Sequence, residues 1–69
     1  MPDSPDPMLQ FFVTEHLKPE LAAVAGSFAQ LAHEMVATLP RNPERTTALR
    51  KLVESKDCAV RALIYKANG

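Results

Sequence analysis

Residues 19–39, PELAAVAGSFAQLAHEMVATL, precede the short break PRNP at 40–43, which separates two long segments of helical periodicity. Pro40 cannot continue the first helix, because its nitrogen carries no hydrogen and its ring clashes with the preceding turn. Asn42 is a favourable N-cap for the helix that follows. The pattern predicts an all-α fold, with helices at about 19–39 and 43–67 in an antiparallel hairpin, since so short a turn reverses the chain direction.

The first predicted helix has two faces that look suited to burial. Large apolar residues recur at spacings of three and four: Leu21, Val24, Phe28, Leu31, Met35 and Leu39. A second stripe is formed by mostly small residues: Ala22, Gly26, Ala29, His33 and Ala37. Two helices alone cannot cover both faces, and a chain of 69 residues buries a small core. The sequence therefore predicts a homo-oligomer.

One lysine interrupts the apolar stripe of the second predicted helix. The members of that stripe are Leu49, Leu52, Val53, Val60, Leu63 and Ile64. At about 100° per residue, Lys56 falls in the middle of them. Either its stem lies on the core and its charge reaches a rim or pairs with Glu15 or Glu20, or it enters a pocket between subunits and meets an anion.

The segments before the first helix are harder to assign. Residues 1–7, MPDSPDP, have no hydrophobic period and are expected to be a disordered tail. The hairpin domain is expected to span 8–69, and its first part, 8–18, is either a short helix or an extended arm that packs Phe12 and Leu17 against the hairpin.

Composition excludes several classes of function. Cys58 is the only cysteine, so no disulfide forms within one chain, and a reducing cytoplasm is expected because no signal peptide is apparent. No apolar run approaches the roughly 20 residues needed to span a bilayer. The net charge is zero, but it is −4 over residues 1–40 and +4 over residues 41–69. The chain lacks the overall basic charge of a DNA-binding protein.

Neither a catalytic group nor a metal site is indicated, and no cofactor is expected. The sequence contains no serine–histidine–acid set and no glycine-rich phosphate loop. Arg45 and Thr46 open the second helix, where first-turn amides attract phosphate, although many helices begin this way. His16 lies near two phenylalanines. It has either a capping or packing role, or it stacks on or hydrogen-bonds to a ligand.

The stretch PRNPERTTALRKLVESKDCAVRALI resembles the helical hairpin domain of phage anti-CBASS and anti-Thoeris proteins. The recurring pattern is a Glu, a Ser or Thr, Ala-Leu, Leu, an acidic residue and later Ala and Arg-Ala. Its matches here are Glu44, Thr46 or Thr47, Ala48, Leu49, Leu52, Glu54, Ala59, Arg61 and Ala62. The similarity covers roughly residues 11–65.

The resemblance implies a sponge, a non-catalytic protein that sequesters cyclic di- or trinucleotide messengers of antiphage defence. Members form homo-oligomers, often hexamers, with pockets between protomers, and a phage-encoded member would act in the host cell cytoplasm. The arm residues would be Phe11, Phe12 and His16, and the helix-start residues Arg45 and Thr46. The family's arm tyrosine and first-helix lysine are absent, so Lys56 would replace that lysine. The alternative is a structural or adaptor oligomer that binds helices of a partner protein.

Overall fold

The computed structural model describes residues 6–65, and within them the fold is all-helical. A short 3-10 helix, Pro7–Phe12, is followed by α1, Pro19–Thr38, and α2, Pro43–Ile64. The predicted all-α class is confirmed. Both long helices begin where the prolines predicted, α1 ends one residue before 39, and α2 ends at Ile64; residues 66 and 67 of the predicted helix lie outside the described residues.

The termini of the helices follow from local chemistry. Asn42 has extended backbone angles, and its side-chain oxygen accepts a hydrogen bond from the Arg45 backbone N–H at 2.9 Å. Asp6 does the same for the 3-10 helix, since its Oδ1 accepts from the Met8 N–H at 2.9 Å. Lys18 precedes α1 without a side-chain cap, and Pro19 supplies the preset backbone angle instead.

The three helices meet in one small core. Its buried members are Phe12, Ala32 and Leu49, one from each helix. The half-buried residues packed around them are Met8, Leu9, Phe28, Ala29, Met35, Val36, Leu52 and Val53. Leu49 is the one large side chain that is fully buried in the described residues. The 3-10 helix therefore packs against both long helices and contributes Phe12 to the core.

The buried face of α1 differs from the predicted stripe of large residues. Ala25 and Ala32 are fully buried, whereas Leu31 and Leu39 are 46% and 41% exposed. The two alanines lie seven residues apart, which is two turns of helix, and their small side chains allow close approach of the neighbouring backbone. The fully buried positions of α1 are therefore small residues, whereas Phe28 and Met35 of the large-residue stripe pack against the core and Leu31 faces outward.

The predicted tail extended too far. Residues 1–5 lie outside the described residues, but Asp6 and Pro7, assigned to the tail, belong to the folded unit. The side chain of Asp6 is 8% exposed and lies 2.6 Å from Nη2 of Arg45. This ion pair gives the end of the tail a fixed partner that composition alone does not reveal.

No helix in the range 6–65 combines the length and the apolar character that crossing a bilayer requires.

We expect Asp6→Asn to lower the free energy of unfolding by roughly 1.5–3 kcal/mol, because it weakens a charge-assisted hydrogen bond to a buried guanidinium. Chemical denaturation followed by far-UV circular dichroism measures this change. Glu15→Gln removes the same charge from an exposed position and serves as the control. An equal loss in both variants would contradict a specific role for Asp6.

The same pair makes stability depend on pH. The Met8 N–H hydrogen bond and, against the effect of burial, the Arg45 guanidinium lower the pKa of Asp6 below its usual 3.8. The ionised carboxylate thus stabilises the folded chain. This stabilisation is complete above the usual pKa of 3.8, and it is lost as the pH falls through the lower pKa of the folded state. Between neutral pH and about pH 3, Asp6→Asn should lose less stability than the unsubstituted chain.

Gly26 lies inside α1, and a Cβ placed there would have no heavy atom within 4 Å, apart from its chain neighbours and the helix's own backbone. Gly26→Ala should therefore raise the free energy of unfolding by about 0.5–1 kcal/mol, since glycine loses more backbone freedom on folding. Denaturation at low protein concentration measures this effect within one chain. A loss of stability there would contradict the open space around Gly26.

Candidate ligand site between the arm and α2

A cavity of about 210 Å³ lies between α2 and the segment that joins the 3-10 helix to α1. The joining segment contributes Val13, His16 and Leu17, and the helix contributes Lys56, Asp57, Val60 and Arg61. Positions 56 and 60 are about one helical turn apart, as are 57 and 61, so the four form two neighbouring rows on the helix surface. The cavity therefore combines an apolar wall with four polar side chains.

Lys56 has the most contacts of these side chains. Its side chain is 14% exposed, and its Nζ donates to the Phe11 carbonyl oxygen at 2.6 Å and lies 3.1 Å from Oδ1 of Asp57. The same Nζ is 5.8 Å from the centre of the Phe12 ring, within the range of a cation–π contact. The sequence suggested Glu15 or Glu20 as the partner of Lys56, but the described contacts of its Nζ are with Asp57 and the Phe11 carbonyl oxygen instead. Lys56 covers the core with its stem and holds its charge at the cavity wall.

The charges around the cavity are unequal. Lys56 and Arg61 are positive, Asp57 is negative, and the cavity carries one net positive charge when His16 is counted as neutral. The Arg61 Nη2 donates to Sγ of Cys58 at 3.3 Å, and both residues are exposed. A guanidinium and an ammonium next to an apolar wall are suited to an anion that also carries a flat ring.

Arg45 lies elsewhere and has internal partners. It is 5% exposed; Nη1 donates to the carbonyl oxygens of Val36 and Leu39 at 3.2 and 3.1 Å, and Nη2 pairs with Asp6. Its Nε is buried with no partner in the described part of the chain. The guanidinium thus caps the carboxyl end of α1, where positive charge is favourable. Its ligand-binding role stays a prediction, and the geometry gives it a structural role.

The other predicted ligand residues are divided between the cavity and the rest of the fold. His16 lines the cavity together with Lys56, as the ligand hypothesis requires. Phe11 is 48% exposed beside it, but Phe12 is 3% exposed and belongs to the core, which leaves little ring surface for stacking. Thr46 donates from Oγ1 to the Asn42 carbonyl oxygen at 3.4 Å and is not among the cavity residues.

Two functional candidates were missed from sequence. Asp57 and Arg61 were not among the predicted ligand residues, yet both line the cavity beside Lys56. Their spacing of four residues was the available signal, since it places both at the edge of the face that carries Lys56.

Comparisons with known proteins identify no relative of this chain. The chain matches no protein-family model, no curated protein sequence and no solved structure. Within residues 6–65, no group of three or more His, Cys, Asp or Glu side chains could hold a metal ion.

Lys56→Met retains the apolar stem but removes the hydrogen bond to the arm. We expect amide hydrogen exchange at Leu9 and Leu17 to become roughly fivefold faster, the effect of about 1 kcal/mol for one hydrogen bond. Exchange followed by nuclear magnetic resonance measures this change. Lys51→Met, an exposed position on the same helix, is the matched control and should leave these rates unchanged. Equal rates in both variants would show that Lys56 does not hold the arm.

Proposed function

We propose that this protein is a non-catalytic sponge that binds cyclic di- or trinucleotide messengers of antiphage defence. The observation that carries the proposal is the convergence of His16, Lys56 and Arg61 on one cavity. The chain would act as a homo-oligomer of antiparallel hairpins, with a hexamer as the expected form. The resemblance of residues 11–65 to the anti-CBASS hairpin domain supplies the ligand class.

The chemistry of the cavity suits a phosphodiester. A phosphate oxygen accepts charge-assisted hydrogen bonds from ammonium and guanidinium groups, which are stronger than neutral ones. Lys56 is largely withdrawn from water, so its interaction with an anion is screened less than that of an exposed lysine. The planar side chains of His16 and Arg61 offer surfaces on which a base can stack.

The size of the cavity supports a pocket shared between protomers. Binding sites for small molecules typically occupy about 300–1,000 Å³. The cavity on a single chain holds about 210 Å³, which is enough for part of such a ligand. A second protomer packed over the cavity mouth would supply the remaining wall.

Asp57 supports a role in selectivity. Its carboxylate lies 3.1 Å from Nζ of Lys56 and so occupies a position that a phosphate oxygen would take. A ligand must displace this carboxylate or bind beside it. Weakly binding single anions therefore compete poorly, whereas a ligand with two or three phosphates and stacked bases gains enough contacts to bind.

Calorimetric titration with a panel of cyclic di- and trinucleotides tests the proposal, with chromatography of each ligand afterwards. We expect tight binding of at least one member and its recovery unchanged. Arg61→Met should weaken binding by roughly 10–100-fold, the effect of one charge-assisted contact. Lys51→Met controls for loss of charge at an exposed site, and Asp57→Asn should strengthen binding.

The outcomes separate the parts of the proposal. Absence of heat with the whole panel would refute cyclic nucleotide binding. Binding with cleavage of the ligand would refute the non-catalytic role. Binding that Arg61→Met and Lys56→Met leave unchanged would place the ligand away from this cavity.

The second candidate is an adaptor oligomer that binds partner helices. Its specific support is apolar exposure, since Phe11 and Val13 are 48% and 45% exposed on the arm. Ultraviolet absorption of the purified protein distinguishes the two candidates, because the chain has one tyrosine and no tryptophan. If a nucleotide is retained, the sample absorbs far more strongly than the protein alone can. If a partner protein is retained, a second band appears on a denaturing gel.

A further inference from the structure

A second concave surface, distinct from the ligand cavity, lies where the start of α1 meets the end of α2. This groove has a volume of about 480 Å³ and is lined by Lys18, Glu20, Leu21, Leu63 and Ile64. Three of these side chains are apolar, one is positive and one is negative. None of these residues lines the cavity that holds His16 and Lys56.

The apolar side chains at this end of the fold are unusually exposed. Leu63 and Ile64 are 52% and 56% exposed, and the neighbouring Tyr65 is 72% exposed. Three consecutive exposed apolar residues on a helix end are uncommon in a monomer, and contiguous patches of this kind mark interaction surfaces. None of the three belongs to the core around Phe12, Ala32 and Leu49 or to the described residues that pack against it.

We propose that the groove is covered by the same groove of a second copy of this chain, related by a twofold axis. A twofold interface brings one surface against itself, so its residues must be self-complementary. The groove meets this requirement: its leucines and isoleucine would pack against their counterparts, and Lys18 of each copy would face Glu20 of the other. Two like charges at these positions would repel the same charges on the second copy.

The wider charge distribution agrees with a second copy as the partner. The chain has zero net charge, so two copies approach without net repulsion. Counting formal charges, α1 carries −2 and α2 carries +2, and packing of one copy's α1 near the other's α2 is favourable. This inference deepens the assembly invoked in the proposed function, and it is independent of the ligand.

Sedimentation equilibrium over a range of concentrations tests the interface. The unsubstituted chain should exceed the monomer mass of 7.6 kDa. Leu63→Glu should shift the chain toward smaller species by burying a charge in the apolar contact. Leu31→Glu, at a site of similar exposure on α1 but outside the groove, is the matched control. Circular dichroism establishes that each variant is folded.

Charge reversal tests the pairing directly. Lys18→Glu and Glu20→Lys should each weaken self-association by roughly tenfold, because symmetry makes each change act twice. An equimolar mixture of these two variants should associate again, since each then faces the opposite charge on both sides. Tyr65 is the only tyrosine in a chain without tryptophan, so its fluorescence anisotropy follows association at this end of the fold.

Restored association in the mixture, together with loss in Leu63→Glu, supports the interface. A monomer mass at every concentration would overturn it, and so would an oligomer whose mass falls with Leu31→Glu but not with Leu63→Glu. Association by the separate charge variants that equals that of their mixture would overturn the Lys18–Glu20 pairing. Nucleotide binding by a chain that stays monomeric would refute this interface while leaving the ligand site intact.

Discussion

The guanidinium of Arg45 connects all three helices. Arg45 lies in the first turn of α2. Its guanidinium donates to two carbonyl oxygens at the carboxyl end of α1 and pairs with Asp6 at the start of the 3-10 helix. A buried guanidinium needs hydrogen-bond partners, because an unpaired charge away from water is costly, and both Nη atoms of Arg45 have them. These partners come from separate parts of the chain, so their positions depend on one another. The arm that forms one wall of the candidate cavity is held in place at its amino end by this cluster and at its middle by Lys56.

The two long helices could be predicted from sequence because their signals are local. Pro40 and Asn42 mark a boundary by backbone geometry alone, and apolar spacing marks the faces. The Asp6–Arg45 pair could not be predicted in the same way, since its members are 39 residues apart and Asp6 lies in a proline-rich stretch typical of tails. The signal that existed was the order Asp-Pro, a cap followed by a favoured first residue, which was outweighed by composition.

The candidate site could be predicted in part, because two of its residues break a local sequence pattern. Lys56 stood out because a charge in an apolar stripe needs an explanation, and His16 stood out because of its aromatic neighbours. Asp57 and Arg61 did not stand out, because charged residues beside a stripe are ordinary on helix surfaces. Which face of α1 is buried depended on close approach at Ala25 and Ala32, and the balance between small and large residues is settled by packing in three dimensions. Lys56 lines the cavity, and its partners are the Phe11 carbonyl oxygen and Asp57, neither of which the sequence analysis named.

The wide separation of Asp6 and Arg45 also sets an order for synthesis on the ribosome. Asp6 is made first, and its partner follows 39 residues later. At about 5–20 residues per second, the arm waits on the order of 2–8 seconds before Arg45 exists. A 3-10 helix of six residues gains little from its own hydrogen bonds and does not persist alone. The 3-10 helix therefore reaches its packed position only after the first turn of α2 has been synthesised, although it precedes α2 in the chain.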